Sequence, residues 1–188
     1  MKWVVEKVGR RLGRKVSQTV VGDSPAYVAP SITTDKELRR EVRGALRGEE
    51  PIIVGPWLSE VGFELLYWIP FLHWLVDAFD VDPKRLVVLS RGGVSSWYQH
   101  LTPRYYDLFE FLSETEFRDV NEARQRRQDN SVKQVYVDGF DRQLVGRVNE
   151  RLGISRSRML HPYLMYRALI PYWSGERGFA FAKSILKF

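Results

Sequence analysis

The sequence has no cysteine and only three histidines among its 188 residues. Without cysteine the chain forms no disulfide and offers no thiolate as a nucleophile or metal ligand, and three scattered histidines do not make a zinc-binding pattern. We therefore predict no metal site. The lack of cysteine also fits a protein of the cytoplasm, where disulfides are rare.

Long uninterrupted apolar stretches are missing as well. The most apolar part of the chain, residues 63–79, contains Glu64, Pro70, His73 and Asp77. These residues break up the run of about 18 apolar residues that a membrane-crossing helix needs. The amino terminus lacks the continuous apolar core of a signal peptide. With 44% hydrophobic and 28% charged residues, the composition is that of an ordinary globular domain.

Excess positive charge is scarce outside the amino terminus. Residues 1–15 contain six Lys or Arg and one Glu, so they carry +5 of the net charge of +6. A globular nucleic-acid-binding domain is expected to distribute its positive charge over the fold. We therefore predict that nucleic acid is not a partner, and binding of nucleic acid through the basic amino terminus is the remaining alternative.

The same amino-terminal segment has a helical apolar pattern. Apolar residues recur in it at four-residue spacing: Val4, Val8, Leu12 and Val16. As a helix, this segment would carry one narrow apolar stripe and a cationic face, which is typical of peripheral binding to an anionic membrane surface. The alternative is a terminal helix whose stripe packs on the domain. We predict a cytoplasmic protein that associates peripherally with the inner membrane face.

We divide the chain into two parts at residue 32. Residues 1–32 are predicted to form the basic amphipathic helix and a linker rich in Gly, Pro and Ser. Residues 33–188 are predicted to form a single Rossmann-like α/β domain. Its first helix begins with Thr34 and Glu37, whose spacing has the form of a capping box. The residues that face the core from this helix are predicted to be Leu38, Val42 and Leu46.

Residues 51–90 predict the βαβ unit around which this domain is built. The short apolar run of residues 52–54 is typical of a buried strand, and a turn with Gly55 and Gly62 leads from it into the long apolar helix 63–79. Pro70 is expected to bend that helix locally. Residues 85–90 then predict a second buried strand, parallel to the first because the connection is a helical crossover.

The rest of the chain continues the alternation of strands and helices. Residues 105–127 are predicted as helix in two pieces, 132–137 as a third strand, 140–152 as a helix and 158–160 as a short fourth strand. Pro162 is predicted to lie in the first turn of the next helix, and a last helix is predicted from residue 176 to residue 188. The fold class is therefore a three-layer Rossmann-like α/β domain with a mainly parallel sheet of three to four or more strands.

Ligands of open α/β sheets bind at the carboxyl edge of the strands, so two loops are the candidate site. The first covers residues 57–62 and the second residues 90–97. Their candidate substrate-binding residues are Trp57, Gly62, Arg91, Gly92, Gly93, Trp97 and Tyr98. Free backbone N–H groups of the glycine loop, together with Arg91, suit a phosphate or sugar hydroxyls. The alternatives are a plain turn for this loop and core packing for the aromatic residues.

Residues 50–100 resemble the first loop and helix of GT-B glycosyltransferases of the bacterial heptosyltransferase type. That family has a glycine, an acidic residue and a proline among apolar residues after its first strand. Gly62, Glu64 and the Ile69-Pro70-Phe71-Leu72 segment match these features. Here the acid is Glu rather than the usual Asp, and Phe63 separates it from the glycine.

The resemblance implies a glycosyltransferase of cell-surface polysaccharide synthesis. Its catalytic carboxylate, which takes a proton from the acceptor hydroxyl, would be Glu64, with Glu60 as the rival. The alternative for both is capping of a helix N-terminus. A nucleotide-sugar donor is expected as co-substrate, with no bound cofactor.

GT-B enzymes contain two Rossmann-like halves, and this chain has room for one. We therefore expect the acceptor-side half, with a sugar acceptor as ligand and a second Rossmann-like domain or subunit as partner. The alternative function is that of a non-enzymatic domain that binds a carbohydrate or a protein at the same edge.

Overall fold

The computed structural model describes residues 31–128, 131 and 133–188. Four parallel strands form one sheet in the order β3-β2-β1-β4, with helices around it. The strands are β1 (Ile52–Val54), β2 (Leu86–Ser90), β3 (Tyr105–Asp107) and β4 (Arg158–Leu160). This is the predicted Rossmann-like α/β fold.

Seven helical segments surround the sheet in the described part of the chain. They are α1 (Asp35–Leu46), α2 (three consecutive pieces, Val61–Phe63, Glu64–Trp68 and Ile69–Phe79), α3 (Ser95–Tyr98), α4 (Glu114–Arg127), α5 (Gly139–Arg151), α6 (Tyr163–Trp173) and α7 (Phe179–Ser184). Two 3₁₀ turns, Pro83–Arg85 and Leu108–Glu110, precede β2 and follow β3. None of the helices in the described part is long and apolar enough to cross a bilayer.

The sheet separates two apolar cores, as the alternation of side chains along a strand requires. Ile52 and Val54 of β1 lie in the larger core, with residues of α1, α2 and α6. Ile53, between them, lies in the smaller core on the other face, with Leu144 and Val148 of α5. Because both of their faces are covered, the two central strands β1 and β2 carry apolar residues at consecutive positions.

Helix α1 forms as its sequence predicts. The Thr34 hydroxyl accepts a hydrogen bond from the Glu37 backbone N–H at 3.2 Å, and the buried residues are Leu38, Val42 and Leu46. The backbone N–H of Ile32, a fully buried residue, donates to the Arg167 carbonyl of α6 at 3.0 Å. The core therefore includes a residue that the sequence-based division assigns to the linker. The amphipathic helix predicted in residues 2–16 lies outside the described residues.

Helix α2 changes its winding before Pro70. Residues Glu64–Trp68 form a π-helical stretch, and the Ile69 backbone N–H donates to the Glu64 carbonyl. Pro70 has no N–H for an α-helical bond to the carbonyl four residues back, so the wider turn adjoins the place where that bond is missing. Such π-helical turns are frequent at functional sites. Glu64 is the first residue of this one.

Three of the predicted elements are wrong or shortened. Residues 105–107 form strand β3 rather than helix, because Tyr105 and Tyr106 extend along Val88 and Leu89 of β2. No strand occurs in the described residues 133–137; β4 takes the position beside β1 instead. The predicted helix 176–188 is reduced to α7, because Gly178 starts it and the tail after Ser184 packs on α2, where Lys187 N–H donates to the Pro70 carbonyl at 3.0 Å.

Gly55, the residue that follows β1, is expected to tolerate no side chain. Its φ is +122°, and a Cβ there would lie 2.5 Å from the Leu89 backbone oxygen. We expect Gly55→Ala to lower the free energy of unfolding by at least the cost of the backbone conformation, about 1–3 kcal/mol, as measured by urea denaturation. Gly146→Ala, in the interior of α5 with open space around it, is the control. Equal stability of the two variants would contradict this account.

Candidate active site

The loops after β1 and β2 meet at the carboxyl edge of the sheet. The backbone N–H of Trp57, just after β1, donates to the Leu89 carbonyl of β2 at 3.0 Å. On the other side, Gly55 N–H donates to the Leu160 carbonyl of β4 at 2.9 Å. Side chains that follow three neighbouring strands therefore lie together here.

Glu64, in the first turns of α2, connects the two loops through hydrogen bonds of its carboxyl group. Its side chain is fully buried, and its Oε1 accepts hydrogen bonds from the Ser90 hydroxyl at the end of β2 and from the Tyr98 hydroxyl of α3, the latter at 2.5 Å. The other carboxyl oxygen, Oε2, is buried and has no hydrogen-bond partner among the described residues. One oxygen thus fixes the carboxyl group, and the second is free to accept a proton.

Burial raises the pKa of the Glu64 carboxyl above its usual value. The hydrogen bonds from Ser90 and Tyr98 and the positive charge of Arg91 lower the pKa and offset only part of this rise. Removal of water from around a carboxylate disfavours its charged form. A carboxyl group with a raised pKa is a stronger base when it is ionised. Enzymes use raised pKa values of this kind to make Glu an effective proton acceptor near neutral pH.

Glu60, the rival candidate, lies at the surface. Its side chain is 47% exposed and pairs with Lys133, whose Nζ lies 3.1 Å from Glu60 Oε2. The Lys133 ammonium also lies 4.5 Å from the centre of the Phe63 ring. Glu60 is accessible to a ligand, but its carboxylate is already occupied by a cation. It is the N-cap residue of α2 and makes no capping hydrogen bond through its side chain.

The glycine loop after β2 is exposed at the same edge. Gly92 and Gly93 have positive φ values of 34° and 74°, which favour glycine. The Arg91 guanidinium lies 6.0 Å from the centre of the Phe117 ring of α4. Its buried Nε has no hydrogen-bond partner in the described part of the chain. Gly62, in the first turn of α2, is also exposed.

The aromatic candidates are mostly part of the core. Trp57 is fully buried and stacks on Trp68 and Tyr166, with ring centres 5.9 and 6.4 Å apart. Tyr98 is fully buried as well and holds Glu64. Of the two readings that the sequence left open for these aromatic residues, core packing is the one seen for Trp57 and Tyr98, since neither ring has an exposed face. Trp97 is partly buried and packs against the larger core.

A buried polar cluster beside β4 is the part of the edge that the sequence did not reveal. It consists of Arg124, Gln134, Asp138, Asp141 and His161. Gln134 Nε2 donates to the Pro56 carbonyl at 2.8 Å, and its Oε1 accepts from Leu58 N–H at 2.7 Å. Segment 133–137 therefore crosses the carboxyl edge and fixes the loop after β1.

Two ion pairs hold the charged members of this polar cluster. Arg124 Nη2 lies 3.1 Å from Asp138 and 3.3 Å from Asp141, and His161 Nε2 lies 3.1 Å from the other Asp141 oxygen. Because His161 Nδ1 accepts from Tyr163 N–H, the ring carries a hydrogen on Nε2, which it donates to Asp141. Burial opposes ionisation of Asp141, but the His161 hydrogen bond and the nearby charges lower its pKa below the usual value.

Sequence signals for this polar cluster exist only in part. Asp138 and Asp141 form a capping box at the start of α5, a three-residue spacing that is readable in the sequence. Arg124 belongs to a run of arginines that looks solvent-facing, yet its side chain is 1% exposed. Nothing in the sequence distinguishes it from Arg126, which is 72% exposed.

Comparison with known proteins identifies no relative of this chain. No protein-family model, no curated protein and no solved structure matches it. What the edge can do chemically therefore rests on the arrangement of its own residues. The edge combines three features. They are the buried carboxyl group of Glu64, the exposed loop with Gly92 and Gly93, and the buried polar cluster beside β4.

Proposed function

We propose that this protein is a glycosyltransferase, or the acceptor-side half of one, and that Glu64 is its general base. The observation that carries the proposal is the environment of the Glu64 carboxyl group. Ser90 and Tyr98 orient one of its oxygens, the other has no partner among the described residues, and burial raises its pKa. A positioned carboxylate of this kind can act as the general base that removes a proton from an acceptor hydroxyl during glycosyl transfer.

In this proposal the acceptor sugar binds over the glycine loop. The exposed backbone of Gly92 and Gly93 and the guanidinium of Arg91 offer donors and acceptors for sugar hydroxyls. Since Glu64 has no exposed surface, the acceptor reaches it only when the covering side chains move aside. A nucleotide-sugar donates the sugar that is transferred. A second Rossmann-like domain or subunit provides most of the binding site for this donor.

Binding of saccharides to the purified chain tests this proposal. We expect an oligosaccharide panel to contain ligands that shift the amide resonances of Gly62, Gly92 and Gly93 in NMR spectra. The same ligands should leave Gly146 in α5 unaffected. If no saccharide shifts the three edge glycines, or if the shifts occur elsewhere on the fold, the carboxyl edge is not a sugar site.

A second candidate function, a non-enzymatic binding domain, is favoured by one specific observation. Val61, Leu65 and Leu66 of α2 are 48%, 47% and 52% exposed. They lie on the first two turns of the helix, next to the exposed Glu60. An apolar strip at this place suits a protein partner or a second Rossmann-like domain. Saccharide binding without any turnover of nucleotide-sugars would support this candidate over the enzyme.

The apolar strip itself makes a testable prediction. The purified chain is expected to self-associate or to bind a hydrophobic dye, and Leu65→Gln/Leu66→Gln should reduce this signal strongly. Phe188→Gln is the control, because it removes a more exposed apolar side chain, 87% exposed, at the end of the chain. A monomer that binds no dye would show that the apolar strip is not a binding surface. An equal reduction of dye binding or self-association by Phe188→Gln would show the same.

A further inference from the structure

An exposed aromatic side chain follows β3 at the carboxyl edge of the sheet. Phe109 lies in the 3₁₀ turn after this strand and is 42% exposed. Its ring meets the ring of Phe117 in α4 edge to face, with the ring centres 5.4 Å apart. Phe117 is partly buried and packs against the smaller core. The Phe109 ring is therefore supported by the fold and open to solvent, which suits stacking of a ligand ring.

Arg91 is the cation next to this aromatic pair. Its guanidinium group lies 6.0 Å from the centre of the Phe117 ring. Ser90 pairs with Asp107 in the parallel sheet, so the loop after β2 and the turn after β3 leave the sheet side by side. Arg91, Phe117 and Phe109 therefore form one continuous row across the edge.

The Arg91 guanidinium has no counterion among the described residues. It makes no ion pair or hydrogen bond with them, and its buried Nε lacks a partner. Lys133, which also lies at this edge, is paired with Glu60. The carboxylates of Asp107 and Glu110 are engaged in the capping box of the 3₁₀ turn. A partly buried charge without a partner is unfavourable, and a carboxylate or phosphate group of a ligand would pair with this one.

We propose that the row of Arg91, Phe117 and Phe109 binds the acceptor, and that this acceptor is an acidic saccharide. One sugar ring stacks its apolar face on the Phe109 ring. A carboxylate or phosphate group of the saccharide pairs with the Arg91 guanidinium. This inference rests on the proposed function, since it names the class of acceptor for the same site.

A nucleotide could also stack its base on Phe109 and pair its phosphate with Arg91. The saccharide is favoured because the row adjoins Glu64, the proposed base. Arg91 is close enough to Glu64 for its positive charge to lower the pKa of that carboxyl group. A general base has to lie within reach of the hydroxyl group that it deprotonates, so the ligand beside Arg91 is the acceptor.

Binding of matched saccharides to the full chain tests this inference. The probes are oligosaccharides of galacturonic and glucuronic acid, each as the free acid and as the methyl ester, and glucose 6-phosphate with glucose as its neutral partner. We expect at least one acidic probe to shift the amide resonances of Gly92 and Gly93 in NMR titrations. It should bind on the order of 10–100-fold more tightly than its neutral partner, the range expected for a hydrogen bond to a charged group. The uronic acids and the sugar phosphate separate a carboxylate from a phosphate ligand.

Two variants separate the contributions of the row. Arg91→Gln should remove the preference for the acidic probe and leave binding of its neutral partner nearly unchanged. Phe109→Ala should weaken binding of both by roughly tenfold, because it removes apolar contact area from both. The controls are Arg126→Gln, which changes a 72% exposed arginine of α4, and Phe188→Ala, which removes an 87% exposed ring at the end of the chain. Both controls should bind the probes like the unmodified protein.

Equal binding of the acidic and neutral probes would overturn this inference and leave the proposed function intact. Failure of every acidic probe to shift the two glycines, or unchanged binding in Arg91→Gln and Phe109→Ala, would also overturn it. So would tighter binding of uridine diphosphate than of any acidic saccharide at the same resonances, because the row would then be a nucleotide site. Acidic binding that depends on both residues, without sugar transfer to any probe, would support this inference and contradict the proposed function.

Discussion

In the proposed glycosyltransferase, Glu64→Gln is expected to lower the rate of sugar transfer by about 10²–10⁴-fold, the usual contribution of a general base. Gln keeps the shape of the side chain, and its carbonyl oxygen can accept the hydrogen bonds from Ser90 and Tyr98. It cannot accept a proton from the acceptor hydroxyl. Steady-state rates of the protein, assayed together with the second domain that the proposal invokes, measure this effect.

Glu60→Gln is the matched control, since it changes the same functional group four residues earlier, at the N-cap of α2. Its effect on the rate should be much smaller, because Glu60 is paired with Lys133. Full activity of Glu64→Gln combined with loss of activity in Glu60→Gln would transfer the role of base to Glu60. Full activity of both variants would remove the carboxylate mechanism altogether.

The stability of Glu64→Gln provides a second readout with a definite pH dependence. The folded-state pKa of Glu64 is raised above 4.5, so the unfolded chain loses this proton at lower pH than the folded protein. Between the two pKa values the folded state binds more protons, and stability falls as pH rises through this window. Gln does not ionise. The stability of Glu64→Gln relative to the unmodified protein should therefore increase with pH above 4.5, and a difference that is constant or decreases would contradict the raised pKa.

Arg124→Met is expected to cause the largest loss of stability, about 3–5 kcal/mol of the free energy of unfolding. Met fills a similar volume but leaves Asp138 and Asp141 without their guanidinium partner. Asp141 is fully buried, and removal of one member of a buried ion pair leaves an uncompensated charge. Urea denaturation at neutral pH measures the loss.

Arg126→Met, two residues further along the same helix, is the control for Arg124→Met. Arg126 is exposed and pairs only with Glu122 in the described structure, at 3.7 Å. A pair of this kind contributes about 0–1 kcal/mol. A loss below about 1 kcal/mol in Arg124→Met would show that the polar cluster does not hold the edge together.

The parts of the fold that could be predicted are those in which local pattern and tertiary environment agree. The apolar runs of β1 and β2 are buried on both faces, and α1 places Leu38, Val42 and Leu46 at helical spacing towards the core. The aromatic stretch at 105–107 was ambiguous, because Tyr suits a strand as well as a buried helix. Residues 105–107 form a strand because they pair with β2, and no local sequence pattern encodes that pairing.

The candidate site was predictable in position but not in the exposure of its members. The parallel order of β1 and β2 predicts that Glu64 and the Arg91–Gly93 loop lie at the same edge of the sheet, and Glu64 does accept a hydrogen bond from Ser90, the residue before that loop. Burial depends on which element lies above a side chain. For that reason Trp57 and Tyr98 proved to be core residues, and Arg124 proved to be buried. Segment 133–137 has the apolar alternation of a strand, but Gln134 uses its side chain to bond the loop after β1.

The central claim, that a sugar is transferred at this edge under the control of Glu64, is tested most directly by acceptor-dependent nucleotide release. The protein, together with the second domain that the proposal invokes, is mixed with a panel of nucleotide-sugars, with and without saccharides that shift the edge glycines in NMR spectra, and the free nucleotide is measured. We predict release from at least one nucleotide-sugar that requires the saccharide and falls by about 10²–10⁴-fold in Glu64→Gln. Release that is independent of the saccharide, or unchanged in Glu64→Gln, would contradict the claim.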